Sequence, residues 1–176
     1  MKGMTTEMTH KTTLIVRGGG DLASGVIHRL YKCGYQVLVL ECAKPSAIRR
    51  RVSFGEAVYD GTSRVEGVTG RLIKDISECR KVWDEKEIPI LVDENADAVS
   101  ELKPDALIDA ILAKKNLGTT RMMAPLTIGL GPGFTARVDV DYVVETQRGH
   151  NLARVIEKGT AAPNTGIPGM IAGYGK

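Results

Sequence analysis

Short hydrophobic runs recur along the first two thirds of the chain, with helix-like stretches between them. The run LIVR at 14–17 lacks polar alternation, as in a parallel strand covered by helices on both faces. The apolar positions within 22–31 have helical spacing, and Gly34 then suits a left-handed helix end. The run QVLVLE at 36–41 predicts a second buried strand, which completes a strand–helix–strand unit of about 30 residues.

This alternation continues as far as residue 115. The runs IPILVD at 88–93 and DALIDAIL at 105–112 predict two more strands, each preceded by a helical segment. Between them and the first unit the pattern is less regular, with VSFGEAVYDG predicting a short helix and VEGVTGRLI an irregular strand. The predicted fold class is α/β, a Rossmann-like doubly wound parallel sheet over residues 13–115.

The composition changes at residue 116, where Gly and Pro become frequent. Two further strands are predicted there, PLTIGL at 125–130 and DYVVET at 141–146, and shaped loops are expected around them. We therefore predict a Gly/Pro-rich continuation over 116–176 that packs on the same sheet, and a flexible N-terminal tail over 1–12. No separate second domain is expected in 176 residues.

Charge and composition narrow the function classes. The net charge is +3, from 24 Lys and Arg against 21 Asp and Glu, and aromatic residues make up 5%, so nucleic-acid binding is not favoured. The three cysteines lack CxxC spacing, and we expect reduced thiols rather than a disulfide framework or a zinc cluster. The sequence shows neither a membrane-spanning apolar stretch nor a signal-peptide core, and a cytoplasmic location is expected.

The glycine turn between the first strand and helix is the clearest binding motif. Gly18, Gly20 and Ala23 match G-x-G-x-x-G/A in the required strand-to-helix context. With Gly19 they would let the backbone approach a phosphate, which the helix dipole attracts. Glu41 ends the next strand, where a carboxylate accepts hydrogen bonds from a ribose diol. The alternative is a strand–helix turn that serves packing alone.

Two charged positions beside the turn complicate this prediction. Asp21 in the first helical turn would repel a phosphate unless it turns aside, pairs with Arg17 or holds a metal ion, and a helix N-cap is its simpler role. Arg49 begins a run of three arginines that could clamp phosphate in a bidentate manner. A solvated surface is the alternative for that run.

Later loops contain further candidates. Gly131 and Gly133 allow close backbone approach, or else form a rigid turn. Asn116 and the two lysines before it follow a predicted strand at the edge where open α/β sheets bind ligands, which suits a small anionic ligand or a solvated loop. His150 could act as an acid–base group or have a structural role. The sequence contains no known catalytic-triad or metal-loop spacing, so catalytic residues are unknown and no metal site is expected.

Six segments carry a family resemblance: VRGGGDLASGVIHRL, RRRVSFGEAVYDG, VEGVTGRL, IPILVDE, GTAAPNTGIPG and the long block from Asp105 to Leu152. Together, over about residues 13–169, they resemble the YqeB-type accessory proteins of selenium-dependent molybdenum hydroxylases, which are related to the XdhC family of molybdenum cofactor chaperones. The resemblance implies a Rossmann-like domain that binds molybdopterin cofactor for an apo molybdenum hydroxylase. It also implies that relatives carry a further C-terminal segment.

Three functions are therefore compatible with the sequence. The resemblance implies a maturation factor that handles molybdenum cofactor, more a chaperone than a catalyst. The glycine turn also allows an NAD(P)-binding oxidoreductase or a nucleotide-sensing module. No nucleic-acid or membrane partner is expected, and a homodimer is a possible assembly.

Overall fold

The computed structural model describes residues 11–163, which form a large sheet flanked by helices. Its strands are β1 (Thr13–Arg17), β2 (Gln36–Glu41), β3 (Thr62–Val65), β4 (Val68–Ile73), β5 (Ile88–Val92), β6 (Ala106–Asp109), β7 (Leu126–Leu130), β8 (Thr135–Ala136), β9 (Tyr142–Val144), β10 (Val155–Ile156) and β11 (Gly159–Thr160). Its α-helices are α1 (Asp21–Lys32), α2 (Ala57–Asp60), α3 (Cys79–Asp84) and α4 (Ala98–Leu102). Short 3₁₀ turns lie at Arg50–Val52, Phe54–Glu56, Ile76–Glu78 and Arg121–Met123.

The main sheet has nine strands in the order β10-β9-β7-β6-β1-β2-β5-β4-β3. The seven strands from β9 to β4 are parallel, and the edge strands β3 and β10 are antiparallel to their neighbours. Strands β8 and β11 form a separate antiparallel pair. The predicted Rossmann-like α/β fold is confirmed.

The winding of the sheet reverses beside β1. The chain passes from β1 to β2 on one side, and after β5 it crosses back to β6 on the other side of β1. In open α/β sheets, the carboxyl ends of the strands at such a reversal form a crevice that binds ligands.

Both faces of the central strands are covered, which explains their unbroken hydrophobic runs. Ile15, Leu38 and Leu107 pack in one core cluster, whereas Val16 and Val39 pack in a second cluster on the opposite face. All five side chains are completely buried. A strand that is buried on both faces needs no polar alternation.

Helix α1 forms as predicted from its apolar spacing. Ala23, Ser24 and Ile27 are its buried residues. Gly34 follows the helix with φ of +92°, the left-handed conformation expected of a glycine at a helix end.

The region between β2 and β5 differs partly from the prediction. The predicted short helix in VSFGEAVYDG is confirmed as the 3₁₀ turn Phe54–Glu56 followed by α2. The strand predicted in VEGVTGRLI is β4, and the start of this segment is the turn of a hairpin with β3, where Glu66 and Gly67 adopt φ of 45° and 81°.

Strands β7, β9 and β10 of the Gly/Pro-rich continuation belong to the main sheet. Most of the tail predicted over 1–12, and residues 164–176 of the continuation, lie outside the described residues. Within 11–163, no helix has the length and apolar character needed to cross a membrane.

Candidate functional site

A crevice of about 390 Å³ opens at the carboxyl ends of β1, β2, β5 and β6, where the winding reverses. Small-molecule pockets have volumes of about 300–1,000 Å³. The polar side chains that line this crevice are Arg17, Glu41, Cys42, Ser46, Asp93, Glu94 and Asn95. Among the predicted binding residues, Gly18, Gly20 and Glu41 line it together.

Gly18 is required by packing as well as by backbone conformation. Its φ is +92°, and an added Cβ would lie 3.0 Å from the carbonyl oxygen of Ala110, just beyond β6. Its N–H donates to the carbonyl oxygen of Leu40 at 2.7 Å. A side chain at this position would therefore push the turn away from the segment that follows β6.

Gly19, in the middle of the glycine turn, packs against the segment 53–55. An added Cβ would lie 2.9 Å from the backbone nitrogen of Gly55. The Gly19 carbonyl oxygen accepts hydrogen bonds from Gly55 N and from the hydroxyls of Ser53 and Ser24, at 2.8, 2.8 and 3.1 Å. Gly18 and Gly19 are therefore needed for close packing of the turn, which is the alternative role that the sequence allows for these glycines.

Glu41 is turned towards this glycine turn and is only 8% exposed. Its Oε1 accepts from Gly19 N at 2.6 Å, and its Oε2 accepts from Cys42 N at 2.8 Å. The N–H groups of Gly18 and Gly19 are thus both bonded within the protein. Gly20 differs, since it lines the crevice and an added Cβ would meet no atom within 4 Å.

Asp21 pairs with Arg49 rather than with Arg17. The Arg49 Nε donates to Asp21 Oδ2 at 2.7 Å, and Leu22 N donates to Asp21 Oδ1 at 3.0 Å. The Arg49 side chain is 65% exposed, so the ion pair contributes little to stability. Ala23, the last residue of the motif, lies in α1 and its side chain is buried.

The sequence marks Arg17 only as a candidate partner for Asp21, but in the structure Arg17 belongs to the site. It is 2% exposed and lines the crevice. Its Nη1 donates to Thr119 Oγ1 at 2.6 Å, and its Nη2 donates to the carbonyl oxygen of Glu94 at 2.9 Å. Arg17 therefore ties the loop after β5 to the loop after β6.

One feature of the sequence does mark Arg17 as a candidate site residue: it is a charged residue at the end of an apolar strand. Asp109 ends β6 in the same way, and the β1–β6 register places it opposite Arg17. The contact between them depends on that register, which a single sequence does not give. The same type of signal marks Asp93 and Glu94, which follow the apolar run of β5.

The β5 side of the crevice is acidic. Asp93 accepts from the backbone N–H groups of Asp97 and Ala98 at the start of α4, and Glu94 Oε1 accepts from Ala43 N at 3.1 Å. Together with Glu41 these residues place three carboxylates in the lining. The acidic side is suited to a group that donates hydrogen bonds.

Cys42 contributes a thiol to the lining of the crevice. Burial raises the pKa of its thiol above the ordinary value, and the nearby carboxylates of Glu41 and Glu94 raise it further. The thiol therefore stays protonated at neutral pH, which makes it a poor nucleophile.

The remaining predicted residues lie outside the crevice lining. Asn116 Oδ1 accepts from Gly118 N and Thr119 N at 2.9 and 2.8 Å, and this shapes the loop that presents Thr119 to Arg17. An added Cβ on Gly131 would lie 2.7 Å from Thr146 Oγ1, and one on Gly133 would lie 2.7 Å from the Lys115 Cα. His150 does not line the crevice either. Ligand-binding roles for these residues stay predictions.

Residues 11–163 contain neither a metal-binding cluster nor a disulfide bond. No cluster of three or more His, Cys, Asp or Glu side chains in this part of the chain is arranged to hold a metal ion. Cys33, Cys42 and Cys79 are all free of disulfide bonds.

The chain is similar to the uncharacterized protein YqeB of Escherichia coli (strain K12). The two are 52% identical over 161 residues. Over this stretch, the chain is YqeB-like. The match covers 92% of the chain but 30% of YqeB, so the chain spans less than a third of that relative. No family model and no solved structure matches the chain.

The YqeB-like character predicted from six segments is therefore confirmed. The relationship to XdhC and the role in molybdenum hydroxylase maturation stay predictions, since YqeB is itself uncharacterized.

Proposed function

We propose that this YqeB-like chain binds a heterocyclic cofactor of the pterin class in the crevice, as an accessory protein that handles molybdenum cofactor for a selenium-dependent molybdenum hydroxylase. The observation that carries the binding proposal is the crevice itself, a cavity at the reversal of the sheet with three carboxylates in its lining. The molybdenum part of the proposal rests on the family resemblance of the sequence.

The acidic lining favours a ligand edge rich in N–H groups. A pterin carries an amino group and a ring N–H side by side, and an ionised carboxylate only accepts hydrogen bonds. Hydrogen bonds from such donors to a carboxylate are charge-assisted and stronger than neutral ones. Glu41, Asp93 and Glu94 are the side chains that would hold this edge.

The phosphate of molybdopterin would need a different part of the site. The N–H groups of Gly18 and Gly19 are bonded within the protein. Lys114 and Lys115 are exposed in the loop between Ile111 and Leu117, two residues that line the crevice. Exposed lysines in a loop that begins and ends at lining residues suit an anionic group.

The lining residues are suited to binding a ligand more than to transforming it covalently. Cys42 stays a neutral thiol because burial and carboxylates raise its pKa. Arg17 holds the two loops beside the crevice and contributes a charge that Asp109 balances. Cofactor sites are usually largely pre-formed, and the hydrogen-bonded loops beside this crevice agree with that.

The proposal is tested by titrating the purified chain with molybdopterin cofactor, with 2-amino-4-oxopteridine and with NAD under the same conditions. Gly20→Val should abolish binding of the pterin compounds, because the added side chain projects where Gly20 lines the crevice. Gly25→Val is the matched control, since Gly25 is exposed in α1 and an added Cβ there also meets no neighbour.

The outcomes separate the candidate functions. Saturable pterin binding that Gly20→Val abolishes and Gly25→Val retains supports the proposal. Binding of NAD alone would favour the oxidoreductase or nucleotide-sensing alternatives at the glycine turn. Absence of binding by all three compounds would refute the proposed function.

A further inference from the structure

Two N–H groups of the glycine turn, those of Gly18 and Gly19, are bonded to the protein's own acceptors. In dinucleotide-binding folds, N–H groups at this turn hold a diphosphate. Here Gly18 N donates to the Leu40 carbonyl oxygen and Gly19 N donates to Glu41. At the start of α1, Leu22 N donates to Asp21.

Glu41 is held firmly in this position. It is buried, and each of its two carboxylate oxygens accepts a backbone hydrogen bond, from Gly19 and from Cys42. Gly55 leaves room for it, since an added Cβ on Gly55 would lie 3.0 Å from Glu41 Oε1. Gly55 is itself fixed by a 2.8 Å hydrogen bond from its N–H to the Gly19 carbonyl oxygen.

We propose that Glu41 determines the ligand class of the crevice by keeping phosphate groups off the glycine turn and admitting the donor-bearing edge of a heterocycle. This inference rests on the proposed function for the choice of ligand. A phosphate at Gly19 would have to displace a buried carboxylate from two N–H donors. It would also meet the like charge of Glu41.

The geometry places Glu41 where it can act on both ligand types. It lines the crevice directly, so its carboxylate is available to an N–H donor of a bound ligand. At the same time it occupies the Gly19 N–H that a diphosphate would use. In a dinucleotide site, the acid at the end of the second strand binds the ribose while the diphosphate lies at the helix N-terminus.

The test uses Glu41→Ala and Glu41→Gln, with inorganic pyrophosphate and 2-amino-4-oxopteridine as probes in calorimetric titrations at fixed salt. Asp21→Asn is the control, because it removes a second carboxylate near the turn and leaves the Gly19–Glu41 bond in place. Circular dichroism establishes that each variant is folded.

Glu41→Ala should bind pyrophosphate at least about tenfold more tightly than the wild type, because like-charge repulsion and competition for Gly19 N are both removed. The same variant should bind the pteridine at least about tenfold more weakly, since a charge-assisted acceptor is lost. Glu41→Gln should show both changes in part, because its amide oxygen still accepts from Gly19. Asp21→Asn should change neither affinity by more than about threefold, as expected for an exposed pair.

A folded Glu41→Ala or Glu41→Gln variant that gains no pyrophosphate affinity would overturn the inference. The wild type supplies an independent check if both variants unfold, since pyrophosphate binding that shifts its Gly19 amide resonance would also overturn it. If the wild type binds no pteridine while Glu41→Ala gains pyrophosphate affinity, the proposed function fails and the role of Glu41 stands.

Discussion

Arg17 and Asp109 end neighbouring parallel strands and face each other in register, with Nη1 of the arginine 3.6 Å from Oδ2 of the aspartate. Thr119 lies between them, accepting from Arg17 at 2.6 Å and donating to Asp109 at 2.6 Å. All three residues are almost completely buried. The crevice is thus bordered by a bonded ion pair that also holds the loop after β6.

Removing one charge of this pair should be costly. Asp109→Asn leaves the Arg17 charge buried without its counter-ion, and we expect a loss of about 3–5 kcal/mol in the free energy of unfolding. Urea unfolding followed by circular dichroism measures it. Thr119→Ser keeps the bridging hydroxyl and should cost much less; equal losses in the two variants would show that the ion pair is not the stabilising element.

The glycines of the turn and of α1 should respond oppositely to alanine. Gly19→Ala forces a Cβ to 2.9 Å from a backbone nitrogen, and it should destabilise the protein by about 1–3 kcal/mol. Gly25→Ala places a Cβ in open space within an exposed helix and should stabilise it by about 0.5–1 kcal/mol. Thermal unfolding of both variants checks the pair, and a neutral Gly19→Ala would contradict the packing role of the turn.

The three cysteines should differ in their reaction with iodoacetamide. Cys33 is exposed and should react first. Burial and the carboxylates of Glu41 and Glu94 raise the pKa of Cys42, so its alkylation should accelerate only at a pH above that of an ordinary thiol. Burial raises the pKa of Cys79 to about 12, and this thiol should react only after unfolding.

Mass mapping of the alkylated protein across a pH series gives the three rates. Glu94→Gln removes one of the carboxylates that raise the Cys42 pKa and should move its rate profile to lower pH. Faster alkylation of Cys42 than of Cys33 at neutral pH would contradict the environment described for the crevice.

Asp141 should make stability depend on acid pH. Burial alone would raise the pKa of Asp141, but hydrogen bonds from Thr127 and Arg121 outweigh it and lower the pKa. A carboxyl with a lowered folded pKa stabilises the protein fully above its unfolded pKa, and this stabilisation is lost as pH falls through the folded value.

Asp141→Asn should therefore cost about 1–3 kcal/mol at neutral pH, the range for an unsatisfied buried hydrogen-bond partner. The difference from the wild type should begin to shrink as pH falls below about 4, the pKa of an unfolded aspartate, and should be smallest below the lowered folded pKa. Urea unfolding at a series of pH values measures this difference. A difference that stays constant with pH would contradict the role of the Asp141 charge.

The sequence predicted the central strands because they are buried on both faces, and the helix α1 because one of its faces is buried. It also placed Glu41 at the end of β2. The direction of the Glu41 side chain could not be predicted, because it depends on Gly55 in a turn that lies beyond β2. The pairing of Arg17 with Asp109 depends on strand register between residues 92 positions apart in sequence, which local patterns do not encode.

The most direct test of the central claim is to map binding on the chain by nuclear magnetic resonance, adding molybdopterin cofactor anaerobically to ¹⁵N-labelled protein. The account predicts saturable shifts at crevice amides such as those of Gly20, Cys42 and Glu94, with the amide of Gly67 in the β3–β4 turn unchanged. Saturable shifts confined to Gly131 and Gly133, or no shifts at any concentration, would contradict a cofactor site in this crevice.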